Sequence, residues 1–186
     1  MKLPGDYIAG FIDGEGCFTI IISKHKTKKL GLDARLHFEI ELRADDEEIL
    51  QDIQETLKCG RIYLLSYERY GWNPHVELKI SSIKDIIEKL IPFLRKYPLR
   101  AKKRKSFEYF LEAVELFKRK EHLTLEGIEK LRKIRSKMNV YSKKSKRRPG
   151  YGKTVCPVGR EANISNDSLS QNTARQMSGV GNARSG

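Results

Sequence analysis

The stretch Tyr7–Ile22, YIAGFIDGEGCFTIII, decides how the rest of the chain is read. It opens with apolar residues at helical spacing and closes with a β-branched run that suits a strand. Between them stands Asp13-Gly14-Glu15-Gly16, an acidic corner where helix passes into strand. Gly10 and Gly14 are four residues apart and share one helix face. A glycine inside a short helix costs about 1 kcal/mol relative to alanine, so close packing of another helix on that face is the expected compensation. Tyr7, Ile8, Phe11 and Ile12 are expected to pack into the chain's own core. The helix then serves its own domain on one side and a second copy on the other. At its end the last carbonyls carry partial negative charge, and Glu15 adds a full one. This corner favours a cation, and hard oxygen donors suit Mg²⁺. Two such helices side by side would bring two Glu15 carboxylates together, an arrangement fit for metal-assisted phosphodiester cleavage.

Composition supplies a reason for that chemistry. The 186 residues carry 37 Lys and Arg against 24 Asp and Glu, a net charge of +13. An excess of this size points to a polyanionic partner, most often nucleic acid. Cys17, Cys59 and Cys156 show no spacing that would ligate zinc, and their scatter fits a reducing compartment. No run approaches about 18 apolar residues and no secretion signal leads the chain. The expectation is therefore an intracellular protein of cytoplasm, nucleoid or organelle, neither secreted nor bound to a membrane.

The chain changes character near Tyr141. Residues 143–186 hold nine Lys and Arg against two acids, with few aromatics and much Ser, Asn and Gly. This segment is expected to be a basic, disordered tail, and residues 1–142 a single domain. Within that domain a helix over Asp6–Asp13 leads into strands Cys17–Lys24 and Leu32–Leu42. A helix over Asp45–Leu57 follows, with Asp45 as N-cap, Glu48 three residues on, and Gly60 left-handed beyond its end. Strands Gly60–Ser66 and His75–Ile80 come next, joined across YERYGWNP. Then come helices over Ser82–Leu90, stopped by Pro92, and over Leu99–Phe117. Thr124 caps a last helix carrying Ile128, Leu131, Ile134 and Met138 at helical spacing. The order αββαββα, with two helices after it, predicts an α+β fold of four antiparallel strands covered by helices on one face.

Alternation then assigns the free face of the sheet. Phe38, Ile40, Leu42, Ile62, Leu64, Val76, Leu78 and Ile80 are expected inward. Arg35, His37, Glu39, Glu41, Arg61, Tyr63, His75, Glu77 and Lys79 are expected outward, with Thr19, Ser23 and His25 on the first strand and its exit. This outward set mixes donors and acceptors, as base edges in a major groove require. A pure phosphate binder would show mostly Lys and Arg.

Ile8–Gly16, IAGFIDGEG, resembles the LAGLIDADG motif of homing endonucleases. The strand CFTI after it, the element order, YPLRAKKRKSF from Tyr97 and HLTLEGIEKLRKIRSKMN from His122 fit the same family. The resemblance implies a saddle-shaped sheet and an intron-encoded, Mg²⁺-dependent DNA endonuclease, with Mn²⁺ also supporting cleavage. It implies Glu15 as the metal-binding acid and Gly14 as donor of a backbone carbonyl. Asp13 would be structural, and Gly10, Asp13 and Gly14 would lie at the dimer interface. A basic residue near the cleaved phosphate matches Lys103, with Lys102 and Arg100 as rivals in a slipping register. The position that would hold an attacking water falls on Leu42, which cannot do so; Arg43 is the nearest substitute. One motif gives one Glu15, so a homodimer on near-palindromic double-stranded DNA is implied. The alternatives are an RNA maturase acting on its host intron RNA and a DNA-binding regulator that does not cut.

Overall fold

A computed structural model describes residues 3–67 and 71–144, with side chains up to Met138. From residue 145 on, the segment expected to be a tail lies outside the described residues. Helix α1 (Gly5–Glu15) follows Pro4 and passes without a loop into β1 (Gly16–Lys24). Gly16 makes that junction possible. A Cβ there would stand 2.8 Å from the Ile12 carbonyl oxygen and 2.9 Å from its Cγ2, so only glycine lets the strand leave the helix so abruptly. Strand β2 (Leu32–Arg43), helix α2 (Glu47–Leu57), and strands β3 (Arg61–Leu65) and β4 (His75–Ile80) come next. The sheet order is β1-β2-β4-β3, and every neighbouring pair is antiparallel.

The registers sort the sheet by number. Cys17 faces Glu39, Glu39 faces Lys79, and Arg61 faces Lys79. Odd-numbered residues therefore share one face on all four strands, and even-numbered residues share the other. Phe18, Ile20, Leu36, Phe38, Ile40, Val76, Leu78 and Ile80 make the buried face. Ile8 and Ile12 of α1 and Leu50, Ile53 and Leu57 of α2 join the same core. The Phe18 ring lies 5.1 Å from Phe38, 5.3 Å from Phe107 and 5.1 Å from Phe110, tying the sheet to a later helix. The expected α+β layout, with helices on one face, is the observed one.

Several local expectations are corrected. Asp45 does not cap α2: its carboxylate takes Arg43 Nη2 at 2.8 Å. A 3₁₀ turn, Ala44–Asp46, precedes the helix, and the Glu47 N–H already bonds the Ala44 carbonyl. At the other end Lys58 takes the left-handed conformation at φ 54°, ahead of Gly60 at φ 92°. Pro92 does not stop a helix. Ile83–Asp85, a π-turn Ile86–Leu90 and Ile91–Lys96 run on from one another and are together called α3. In the wider turn the Ile91 N–H reaches back to Ile86, and the missing N–H of Pro92 falls just beyond it. Leu64 is 71 % exposed, against the inward expectation, because β3 is an edge strand and only Ile62 packs on the core. Tyr7 is half exposed, so the core face of α1 is Ile8, Ala9 and Ile12, with Phe11 packed part-buried against the core as expected.

Helix α4 (Lys103–Lys118) buries Phe107, Phe110, Ala113 and Val114, and starts four residues later than Leu99. Helix α5 (Leu125–Lys144) buries Ile128, Leu131, Ile134 and Met138. Thr124 caps it as expected, its hydroxyl accepting the Gly127 N–H at 3.0 Å. Among the described residues no helix is long and apolar enough to cross a membrane.

Candidate nucleic-acid interface and acidic corner

Glu15 is the last residue of α1, and its side chain is exposed. One helical turn back, Gly10 and Gly14 share a face of α1 that the described residues leave uncovered, with Tyr7 half exposed on the same side. A Cβ built at Gly10 or at Gly14 would meet nothing within 4 Å. Among the described residues no contact requires these glycines, in contrast to Gly16. They leave a flat strip beside the acid.

Asp13 points the other way. Its Oδ2 accepts the backbone N–H of Arg100 at 2.6 Å and that of Ala101 at 3.1 Å. The carboxylate thereby ties the end of α1 to the segment that opens α4. Lys102 and Lys103 stand at that opening, Lys103 half-buried and Lys102 exposed, with Arg100 exposed beside them. The fold thus brings the acid and the candidate lysines to one corner through Asp13, a side chain expected to be structural and near the interface. Asp13 Oδ1 is buried without a hydrogen-bond partner among the described residues. Leu42 is part-buried, and Arg43 is held by Asp45.

The donor set of this corner fits a hard divalent cation. Among the described residues no group of three His, Cys, Asp or Glu side chains could hold a metal by itself. The corner offers one exposed carboxylate at the negative end of a helix. Mg²⁺ is commonly held by one or two carboxylates, with phosphate oxygens and water completing the shell.

The open face carries the odd-numbered residues, as expected, and two hydrogen-bonded groups occupy its middle. In the first, Lys79 Nζ donates to Glu39 Oε2 at 3.0 Å and to Glu77 Oε1 at 3.1 Å, while Thr19 Oγ1 donates to Glu39 Oε1 at 3.4 Å. In the second, Glu41 Oε1 is 2.7 Å from His75 Nδ1 and accepts the Tyr67 hydroxyl at 3.0 Å. Burial pushes the Glu77 carboxyl up, and the nearby Glu39 reinforces this against the pull of Lys79. Burial pulls Lys79 down, but the hydrogen bonds and charges of Glu39 and Glu77 outweigh it and hold the ammonium above its usual range.

Away from the middle, Arg35 pairs with Asp33 at 3.1 Å, and Lys28 reaches the same carboxylate at 3.3 Å. Ser23 lies opposite Asp33, and His25 meets Thr27 at 3.2 Å beyond the strand. Arg61 and Tyr63 stand exposed on the edge strand. His37 is the correction within this set. It lies on the open face opposite Thr19 yet is only 7 % exposed, so it offers little surface to a ligand. Burial lowers its pKa, the charges of Lys79 and Arg35 add to this, and its Nδ1 finds no partner among the described residues. Tyr67 and Asp33 were not foreseen. Tyr67 lies in a stretch read only as a connection, and its bond to Glu41 spans 26 residues.

Comparisons with known proteins agree with this geometry. The profile of the family described as LAGLIDADG endonuclease matches residues 8–114. Probable intron-encoded endonuclease 3 of Neurospora crassa is 38 % identical over 133 residues, covering 71 % of this chain and 24 % of the relative. The I-LtrWI LAGLIDADG homing endonuclease, solved bound to target DNA, superposes with a TM-score of 0.68 at 36 % identity, covering 74 % of this chain and 44 % of that one. The homing endonuclease I-TnaI superposes with a TM-score of 0.66 at 32 % identity, covering 75 % of this chain and 90 % of that one. The chain thus spans about a quarter of the length of the curated relative. Sequence, sheet topology and the helix that carries Glu15 lead to one conclusion: this chain belongs to the LAGLIDADG endonuclease family.

Proposed function

We propose that the chain is a site-specific double-strand DNA endonuclease that acts as a homodimer and depends on Mg²⁺. The observation that carries this is the exposed Glu15 beside the uncovered strip of Gly10 and Gly14. A second copy laid on that strip supplies the second acid. The two sheets then extend to either side of a two-fold axis, each facing the major groove of one half-site.

Glu15 and the Gly14 carbonyl would hold the ion against a DNA phosphate. When bound, that ion supplies Lewis acidity toward the phosphate and activates water; Mn²⁺ offers the same chemistry. The chain's own residues do the rest. Lys103, with Lys102 next to it, lends positive charge to the phosphate as negative charge builds on its oxygens. Asp13 keeps those lysines near Glu15 by holding the Arg100 and Ala101 amides. Exposed Arg35, Arg43 and Arg61 at the borders of the face attract the DNA backbone.

A cleavage selection on randomised duplexes, run with Mg²⁺ and with Ca²⁺, tests this reading. Near-palindromic sites cut with Mg²⁺ and only bound with Ca²⁺ are expected. Binding without cutting in either ion would overturn the nuclease assignment. A regulator or a maturase acting on intron RNA would then remain, and an RNA-binding assay would separate them.

A further inference from the structure

The middle of the DNA-facing surface is acidic, although the chain is strongly basic. Three carboxylates, Glu39, Glu41 and Glu77, occupy adjacent strands there. The register sets Glu41 directly opposite Glu77, a like-charged pair that a sheet ordinarily avoids. Against a polyanion such a cluster is unfavourable unless its oxygens meet donors. No group of three acids among the described residues is arranged to hold a metal, so a bound cation does not account for the cluster.

The hydrogen bonds show which groups remain available. Lys79 is committed, with its ammonium lying between Glu39 and Glu77. It cannot reach out to a guanine edge without breaking both bonds. Glu77 is the most enclosed of the three, at 13 %, and serves to hold Lys79. Glu39 and Glu41 are more open, at 25 % and 33 %. Each is braced from the side. Thr19 and Lys79 fix Glu39, and His75 and Tyr67 both bond one oxygen of Glu41, with no bond to its Oε2 among the described residues. What the face presents to a groove here is a pair of oriented acceptors.

In the major groove only the cytosine N4 and adenine N6 amino groups donate. We propose that Glu39 and Glu41 are specificity-determining residues that read these amino groups, held in place by Thr19, Lys79, His75 and Tyr67. Every base pair carries one such amino group, so each glutamate selects the strand that bears it. Cytosine or adenine is accepted on the contacted strand, and guanine or thymine, which turn acceptors toward the same oxygens, is rejected. This rests on the sheet being the DNA-reading surface and says which bases it reads there.

The test is a binding selection on randomised duplexes with the full chain in Ca²⁺, followed by sequencing. The wild type is expected to enrich cytosine or adenine on one strand, by about tenfold or more, at a base pair read by each glutamate. Glu39→Ala should remove one of these preferences and leave the other. It also releases Lys79 from one of its two partners, so guanine should become favoured at the altered position. Glu41→Ala should flatten only the second. Glu39→Gln keeps size and fold and should move the first preference toward adenine, whose N6 and N7 match an amide. If each variant loses affinity equally for all sequences, the glutamates only brace the sheet and the proposal is overturned. If the wild type enriches no sequence at all, the sheet is not a DNA reader, and the proposed function fails before this inference is reached.

Discussion

In the proposed mechanism the chemistry turns on Glu15. Glu15→Gln keeps size and hydrogen bonding and removes the charge. It should lower the cleavage rate about a thousandfold or more while binding in Ca²⁺ is kept, a comparison made on one labelled target duplex. Undiminished cutting would move the metal elsewhere. His37 makes a second residue-scale prediction. Burial holds its pKa below the ordinary value of 6.5, and His122, stacked on Phe117 at 4.1 Å, is lowered for the same reason. The unfolded chain therefore takes up these protons before the folded one does. Their contribution to stability is intact above 6.5 and is lost as the pH falls below it. Thermal unfolding should drop between neutral and mildly acidic pH, and His37→Leu should make the drop smaller. An equal drop in both proteins would assign it to other groups.

At the scale of the element, α1 and the start of α4 are one unit, because Asp13 binds two backbone amides across 87 and 88 residues of chain. Asp13→Ala should cost about 1–2 kcal/mol, as loss of a helix cap does. It should also slow cutting more than it weakens binding, since Lys103 loses its anchor; denaturant melts and single-turnover rates read the two effects. Gly10→Leu fills the bare strip and should turn the protein monomeric and inactive on a sizing column and in a cleavage assay. A dimer that persists would place the interface elsewhere. How much of this was legible in the sequence follows the range of the interactions. Helix and strand periodicity, Thr124 as a cap and the corner at Glu15 all depend on neighbours a few residues away. Asp45, Pro92, Leu64 and His37 were misjudged for the opposite reason. Arg43 claims Asp45, a π-turn accommodates Pro92, the edge position of β3 exposes Leu64, and His37 is buried on the open face. Each of those outcomes depends on a partner or an alternative turn that propensity does not encode.

Across the whole molecule, charge and shape divide the work. On the proposed reading, the net +13 draws the protein to DNA of any sequence, while the acidic middle of the sheet penalises the wrong one. Affinity should therefore be steep in salt. For about 6–10 phosphate contacts it falls roughly 10³- to 10⁵-fold between 50 and 200 mM salt. Filter binding on a cognate and a random duplex should show that fall for both. A shallow slope on the cognate would mean that phosphate contacts contribute little.

The parity of the sheet has a practical consequence for changing the target. All three strand pairings join odd positions to odd and even to even. A combinatorial library confined to odd-numbered strand positions would vary the DNA-facing surface while leaving every inward strand residue in place. Recognition and folding can thus be altered as separate alphabets written on alternate letters of the same strands. A one-residue insertion in β2 just before Glu39 would exchange the two alphabets from that point on, turning Glu39 and Glu41 into the core and Ile40 out onto the open face.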